Sequence, residues 1–228
     1  ALNRISSTSR PVANGSSVPA CPILRVPRAR RAIDTTEWLD GPCGLSTTMI
    51  PLTTLRGYQP YRGGVRVAII GLGAVGATVL TSIDPRHSVT AVVRGDHGRA
   101  IKSRGISVTG ALGAHKIKVH ALAKLPLEKF DVVIVTVKAH EIFAAIQSSS
   151  LQQSTPIIVI ANGVGALAEA RRAAPKNPIA LGLALFGANI AELGRVDVTY
   201  SAPLVIGGDV KAVDAAKTVI GGGIPLLV

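Results

Sequence analysis

The stretch VRVAIIGLGAVGA at residues 65–77 decides the fold. Apart from Arg66, its first six residues are apolar, as expected of a strand buried in a parallel sheet. The next six fit the pattern G-x-G-x-x-G, which in a strand-turn-helix context is typical of a dinucleotide site. In this pattern Gly71 allows the tight turn and Gly73 lets the backbone approach a pyrophosphate, while Gly76 lets the helix pack closely on the strand.

Strand and helix patterns alternate along the rest of the chain. Strands are predicted at residues 65–70, 89–93, 106–109, 115–121, 131–137, 156–161, 179–185, 196–200 and 204–206. Helices are predicted at 74–82, 96–103 with Asp96 as the cap, 139–147, 162–174 and 210–220. The alternation predicts an α/β fold of Rossmann type over residues 65–228, with a doubly wound, mainly parallel sheet. The apolar residues 224–228 suggest a domain cut short within a strand.

Residues 1–64 differ in composition and are predicted to be a disordered or irregular extension. Six Arg, five Ser and four Pro precede residue 32, where there is no acid. Such a composition is found in mitochondrial transit peptides, but the prolines oppose the amphipathic helix that a transit peptide needs. A disordered tail and an upstream stretch that is not normally translated are the alternatives. We therefore expect a cytoplasmic protein, with a mitochondrial location as the second possibility.

The net charge of +12 divides into +5 for residues 1–64 and +7 for residues 65–228. Aromatic residues make up only 3%, so a single-strand nucleic-acid binder with stacking platforms is not favoured. Attraction of a polyanionic cofactor is a better use of the charge. The apolar runs are too short for a membrane span. Cys21 and Cys43 fit no zinc spacing and the five histidines are scattered, so no metal site is expected.

The residue after the second strand bears on which dinucleotide binds. An NAD site places an acid there to hold the ribose 2′-hydroxyl, whereas an arginine suits the 2′-phosphate of NADP. Arg94 follows the predicted strand 89–93 directly, and Asp96 comes two residues later. Arg94 favours NADP through charge-assisted hydrogen bonds, while Asp96 keeps NAD open, and a solvated surface role is the alternative for Arg94.

Two more polar residues follow apolar strands, where Rossmann sheets bind ligands. Lys138 follows the strand at 131–137 and could attract a carboxylate or phosphate. Asn162 follows the strand at 156–161 and could orient a nicotinamide or a carbonyl. Their structural alternatives are a lysine extending from a helix start and an asparagine that caps the next helix. Position alone does not decide between these roles.

Several motifs in order resemble those of ketopantoate reductases, the 2-dehydropantoate 2-reductases of pantothenate synthesis. They are VRVAIIGLGAVGA at 65–77, VVRGDHGRAIKSRGISV at 92–108, DVVIVTVKA at 131–139 and NGVG at 162–165. The resemblance extends more weakly to residue 228 and includes none of residues 1–64. It implies an NADPH-dependent oxidoreductase that reduces the 2-keto acid ketopantoate to pantoate.

The resemblance also assigns roles to residues. It implies that the cofactor pyrophosphate binds at Gly71, Leu72, Gly73, Ala74, Val75 and Gly76. Arg94 would meet the 2′-phosphate, and Lys138 and Asn162 would border both the nicotinamide and the substrate as catalytic positioning residues. Ala188 would contact the cofactor as well. The oligomeric state stays open.

The sequence departs from the family pattern in places. Ala161 stands where the family often has Gln, and Leu193 where Pro usually precedes the glycine. The family's proton-donating lysine and a substrate-binding carboxylate belong to a helical C-terminal domain, which would lie beyond Val228. We therefore expect these residues alone to bind NADP weakly and to reduce ketopantoate hardly at all. Alternative functions are a non-catalytic NADP-binding module and a Rossmann dehydrogenase of opine or glycerol-3-phosphate type.

Overall fold

The computed structural model describes residues 63–228, which form twelve strands and five α-helices. The strands are β1 Arg66–Ile70, β2 Ser88–Val92, β3 Ile106–Gly110, β4 His115–Ile117, β5 His120–Leu122, β6 Val132–Val135, β7 Ile157–Ile160, β8 Ile179–Ala184, β9 Gly187–Glu192, β10 Arg195–Tyr200, β11 Leu204–Gly208 and β12 Leu226–Leu227. The helices are α1 Ala74–Leu80, α2 Gly95–Arg104, α3 Ile142–Gln147, α4 Ala166–Ala173 and α5 Val210–Val219. A 3-10 turn at Ala139–Glu141 precedes α3. Nearly all of the predicted extension, with both cysteines, lies outside the described residues.

A large sheet confirms the predicted α/β Rossmann architecture. Its strand order is β12-β11-β8-β7-β6-β1-β2-β5. The six strands from β8 to β5 are parallel, whereas β11 runs antiparallel to β8. From β1 the chain moves outward through β2 to β5, then returns to β6 on the other side of β1. The strand order reverses between β1 and β6, and ligands bind at the carboxyl ends of strands at such a switch point.

The two faces of this sheet bury different helices. Alternate residues of β1 point to opposite faces, with Val67 and Ile69 in one core and Ala68 and Ile70 in the other. The first core includes apolar residues of α1, α2 and α5, and the second those of α3 and α4. Val67, Ala68 and Ile69 are fully buried, so β1 lies at the centre of the domain. Helices therefore cover both faces, as the sequence predicted.

A second sheet, in the order β4-β3-β10-β9, was not predicted. The single strand predicted at residues 115–121 is wrong, because β4 pairs with β3 in the second sheet and β5 pairs with β2 in the large one. Ile117, Val119 and Ala121 all belong to the first core or pack against it. The alternating pattern therefore continues while the chain changes sheets, since periodicity reports the buried side and not the partner strand. Strand β9 was missed because its last four residues are exposed.

Helix starts differ from the prediction in three places, and in the helix predicted at 139–147 the first three residues form the 3-10 turn, so that α3 begins only at Ile142. The N-cap of α2 is Arg94 and not Asp96, which lies in the first turn of that helix. The helix predicted from residue 162 begins only at Ala166, after Gly165 in a left-handed conformation (φ 90°). Among residues 63–228, no helix is both long enough and apolar enough to span a membrane.

Candidate functional site

A cleft of about 900 Å³ lies at the carboxyl ends of β1, β2 and β6, at the switch point of the large sheet. Most of the predicted cofactor residues line it, namely Gly71, Leu72, Gly73, Ala74, Val75, Arg94 and Lys138. Gly76, Asn162 and Ala188 are not among the lining residues. The structure thus brings together segments that are widely separated in the sequence, as expected where parallel strands end at one edge.

Residues 71–76, here called the glycine turn, meet three different backbone constraints. Gly71 has a φ of 99°, and a Cβ atom there would lie 2.7 Å from Cγ1 of Val137. A Cβ atom on Gly76 would lie 2.3 Å from the carbonyl oxygen of Gly71. At Gly73, by contrast, no atom lies within 4 Å of the position that a Cβ would occupy. The turn is thus closely packed beneath Gly71 and Gly76 and open at Gly73.

Thr136, at the end of β6, holds the glycine turn from below. Its hydroxyl donates to the carbonyl of Gly71, and its backbone N–H donates to the carbonyl of Ile70 over 2.9 Å. The same hydroxyl oxygen would lie 2.6 Å from a Cβ atom on Gly76. Three elements, β1, α1 and β6, therefore meet at one point with no room for another side chain.

His97 joins the glycine turn to the second sheet. Its Nδ1 lies 3.2 Å from the backbone N–H of Gly194, between β9 and β10, and therefore accepts. The proton then resides on Nε2, which donates to the carbonyl of Leu72 over 3.1 Å. Since the peptide between Leu72 and Gly73 is trans, fixing this carbonyl also fixes the Gly73 N–H in the opposite direction. His97 therefore positions the open part of the glycine turn.

The opening of the cleft carries two side chains of opposite charge, Arg94 and Glu141, which we call the charged rim. Nη2 of Arg94 lies 3.9 Å from Oε1 of Glu141, and the side chains are 73% and 42% exposed. Asp96 is the acid that left NAD as a possible cofactor in the sequence analysis. In the structure it forms an ion pair with Arg99. The carboxylate nearest to the Arg94 guanidinium across the cleft is thus on the segment after β6.

Lys138 and the loop with Asn162 lie next to each other at the edge of the sheet. Lys138 is exposed, lines the cleft and precedes the 3-10 turn. Gly163, beside Asn162, is close enough to this turn that a Cβ atom on it would lie 3.0 Å from Cβ of Ala139. The segments after β6 and β7 thus meet, as expected for neighbouring parallel strands.

The Asn162 amide is occupied by backbone contacts. Its Nδ2 donates to the carbonyl of Ala184 over 2.7 Å, and its Oδ1 accepts from the Ala184 N–H over 3.0 Å. The alternative prediction, that Asn162 caps the next helix, is wrong because the N-cap of α4 is Gly165. Ala188 lies in β9, where it pairs with Val198 of β10. Ile190 of the same strand lines the cleft, and Ala188 packs against the first core.

Sequence reasoning missed Thr136, His97 and Glu141 as residues of the site. A hydroxyl at the end of the apolar run 131–137 was a usable signal for Thr136. The charge of the lining is mainly positive, because Arg94, Lys124 and Lys138 face a single acid, Glu141, within the described residues. No group of three or more His, Cys, Asp or Glu residues positioned to hold a metal occurs in 63–228. The cleft is thus suited to an extended anion.

The sequence model of the family described as "Ketopantoate reductase PanE/ApbA" matches residues 67–209, which is more than half of the chain. The chain belongs to the ketopantoate reductase family. The matched residues contain the glycine turn, the charged rim and both Lys138 and Asn162. The family model thus matches the same part of the chain in which the sequence motifs and the cleft lie.

A curated protein and several solved structures are also similar to this chain, and the structures share its fold. A 2-dehydropantoate 2-reductase from Aquifex aeolicus is 27% identical over 150 residues, which are 64% of this chain and 47% of that protein. The structure of a PanE/ApbA family ketopantoate reductase from Ralstonia eutropha matches 71% of this chain and 55% of its own, with 23% identity and a TM-score of 0.64. A ternary structure of D-mandelate dehydrogenase with NADH matches 67% of this chain and 52% of its own, with 21% identity and a TM-score of 0.57. The chain thus spans about half the length of these relatives.

Proposed function

We propose that residues 65–228 form the NADP-binding domain of a 2-dehydropantoate 2-reductase, which reduces ketopantoate to pantoate. Family membership supports the reaction class, and one structural observation supports the cofactor. Arg94 lies at the end of β2 and lines the same cleft as the glycine turn. A guanidinium binds a phosphate through paired, charge-assisted hydrogen bonds, and the 2′-phosphate is the group that distinguishes NADP from NAD.

The shape and charge of the cleft fit a dinucleotide. The volume of about 900 Å³ is within the usual range for ligand pockets. The space above Gly73 is free of protein atoms, so a diphosphate can approach its backbone there. In our proposal the glycine turn holds the diphosphate and Arg94 the 2′-phosphate. Lys138 and Asn162 border the nicotinamide and the substrate, and Ala188 contacts the cofactor, assignments that depend on the family resemblance.

The chemistry of Lys138 suits the substrate end of the cleft. When bound, NADPH supplies the hydride that adds to the 2-keto carbon. The exposed ammonium group of Lys138 would attract the carboxylate of a 2-keto acid and stabilise negative charge on the keto oxygen. Asn162 would act mainly through the backbone of Ala184, by fixing the ends of β7 and β8 beside the substrate.

Turnover also needs a proton donor for the keto oxygen. The family resemblance assigns this role to a lysine in the second half of these enzymes. We therefore propose that residues 1–228 alone bind NADPH weakly and reduce ketopantoate very slowly. Reduction at a rate normal for the family by these residues alone would contradict this proposal.

The nucleotide preference tests the proposed cofactor. Titration of the 228-residue chain with NADPH and NADH, followed by nicotinamide fluorescence, should give at least about tenfold tighter binding of NADPH. Equal affinities would remove the argument from Arg94. A panel of 2-keto acids, offered with NADPH to a full-length family enzyme carrying this domain, then tests the substrate. Binding without any turnover would favour the non-catalytic alternative, and turnover of a different keto acid would favour another dehydrogenase.

A further inference from the structure

We propose that Glu141 limits the preference of this site for NADP over NAD, because its carboxylate competes with the 2′-phosphate for Arg94. This inference rests on the proposed function, since it concerns the same nucleotide site. Glu141 is the only acid among the cleft-lining residues of the described chain, and it faces the one arginine in that lining. No motif or strand-end position in the sequence singles it out.

The backbone holds both residues of the charged rim in place. The Glu141 N–H donates to the carbonyl of Lys138 over 2.8 Å, which closes the 3-10 turn, and the next residue, Ile142, is fully buried. On the other side, the carbonyl of Arg94 accepts from the N–H of Gly98, as expected for the N-cap of α2. The two side chains extend from fixed positions into the opening of the cleft. The backbone positions of the two residues are thus set by the segments that follow β2 and β6.

A phosphate on Arg94 must come near this carboxylate. With 3.9 Å between Nη2 of Arg94 and Oε1 of Glu141, an anion bound to the guanidinium either displaces Glu141 or lies close to it. The like charges repel, and the ion pair with Arg94 must be given up, so NADP binds less tightly. A 2′-hydroxyl carries no charge and can donate a hydrogen bond to the same carboxylate, which favours NAD. One side chain therefore acts in opposite directions on the two nucleotides.

The Glu141→Gln variant of the 228-residue chain tests this idea. It keeps the size of the side chain and removes its charge. We expect NADPH to bind about three- to tenfold more tightly and NADH no more tightly than before, since a repulsion between partly exposed charges is being removed. The gain for NADPH should shrink between 0.05 and 0.5 M salt because ions screen such a repulsion. Thermal unfolding should be unchanged, as expected for an exposed pair.

Asp96→Asn is the matched control. It removes one negative charge two residues from Arg94, but Asp96 pairs with Arg99, so the ratio of the two affinities should stay as it is. An unchanged ratio in Glu141→Gln, weaker NADPH binding in it, or an equal effect of both variants would overturn the role of Glu141. Arg94→Gln separates the two proposals. If it weakens NADPH binding while Glu141→Gln leaves both affinities unchanged, only the inference on Glu141 fails. If the unmodified chain binds neither nucleotide, both proposals fail.

Discussion

The glycine turn and the charged rim are two parts of one cleft that are built in opposite ways. In the turn, Gly76 is buried and a Cβ atom there would lie 2.3 Å from a carbonyl oxygen. In the rim, Arg94 is 73% exposed and its ion pair spans 3.9 Å. The turn depends on close packing, which does not tolerate an added methyl group. The rim depends on the interaction of exposed charges, whose strength salt or a substitution changes by degrees.

This difference separates what the two parts contribute. The turn presents backbone amides, which every nicotinamide dinucleotide can use through its diphosphate. In the proposed complex, the rim would face the 2′ group by which NADP and NAD differ. Changes in the turn should therefore affect folding or all nucleotides together, whereas changes in the rim should affect the choice between nucleotides and leave folding intact.

Gly76→Ala should have the largest effect. Its methyl group would collide with the Gly71 carbonyl and the Thr136 hydroxyl, both held by neighbouring strands. We expect the free energy of unfolding to fall by about 3 kcal/mol, measured by urea denaturation, with loss of nucleotide binding. Unchanged stability would show that α1 can move away from β1 at little cost.

Arg94→Gln should come next and act on one nucleotide only. Loss of a charged partner should weaken NADPH binding by about 10- to 100-fold, through about 1.5–3 kcal/mol of charged hydrogen bonding. NADH affinity and thermal stability should stay nearly constant, because the side chain is exposed. Arg94→Lys serves as the control that keeps the charge but not the paired geometry. A parallel loss of NADH binding would mean that Arg94 supports the cleft as a whole.

Gly73→Ala should weaken the binding of NADPH and NADH equally without affecting the fold. Its φ of −85° suits any residue and its Cβ would meet no protein atom, so stability should change by less than about 1 kcal/mol. The methyl group would occupy the space proposed for the diphosphate and lower both affinities by about tenfold. Normal binding by this variant would place the diphosphate elsewhere.

His97→Ala should have the smallest effect of the four on nucleotide binding. It removes two hydrogen bonds and the link between the Leu72 carbonyl and Gly194, which we expect to lower stability by about 1–2 kcal/mol. Binding of NADPH and NADH should weaken by the same factor of about three, since the glycine turn loses its positioning and no charge changes at the rim. Ser103→Ala on the same helix is the control, because the exposed Ser103 hydroxyl donates to the carbonyl of Ala100 within that helix. A change in the ratio of affinities would give His97 a different role.

The fold was predictable where local patterns match the long-range structure. An apolar strand followed by three spaced glycines fixes β1, the turn and α1 at once, because the spacing reflects close backbone contacts inside one unit. The second sheet was not predictable, since β3 and β10 pair as parallel strands across a separation of 88 residues. Nothing in either strand indicates this partner. The residues of β9 are mostly exposed and thus carry no apolar alternation.

The candidate site, like the fold, was predictable where a local sequence pattern marks the position. Arg94 and Lys138 stand directly after predicted strands, so the rule that ligands bind at strand ends was enough to select them. The roles of Glu141 and His97 depend on which side chain lies opposite, at the Arg94 guanidinium and at the Gly194 N–H respectively. Such pairings form only when distant segments come together. The strand-end rule also selected Asn162, but it could not predict that the Asn162 amide forms hydrogen bonds with the Ala184 backbone.

The pairing of β10 with β3 has a consequence for the order in which this domain can be completed during synthesis. Helix α1 has only seven residues, too few to be stable alone, and it packs against β3, β9 and β10. A ribosome that has made the chain as far as residue 180 has already made the glycine turn, α1 and β3, but not β9 and β10, which also pack against this helix. The glycine turn and α1, although they are made early, are thus among the last parts of the domain to become rigid. A chaperone or a protease would therefore first encounter them before they are fully packed.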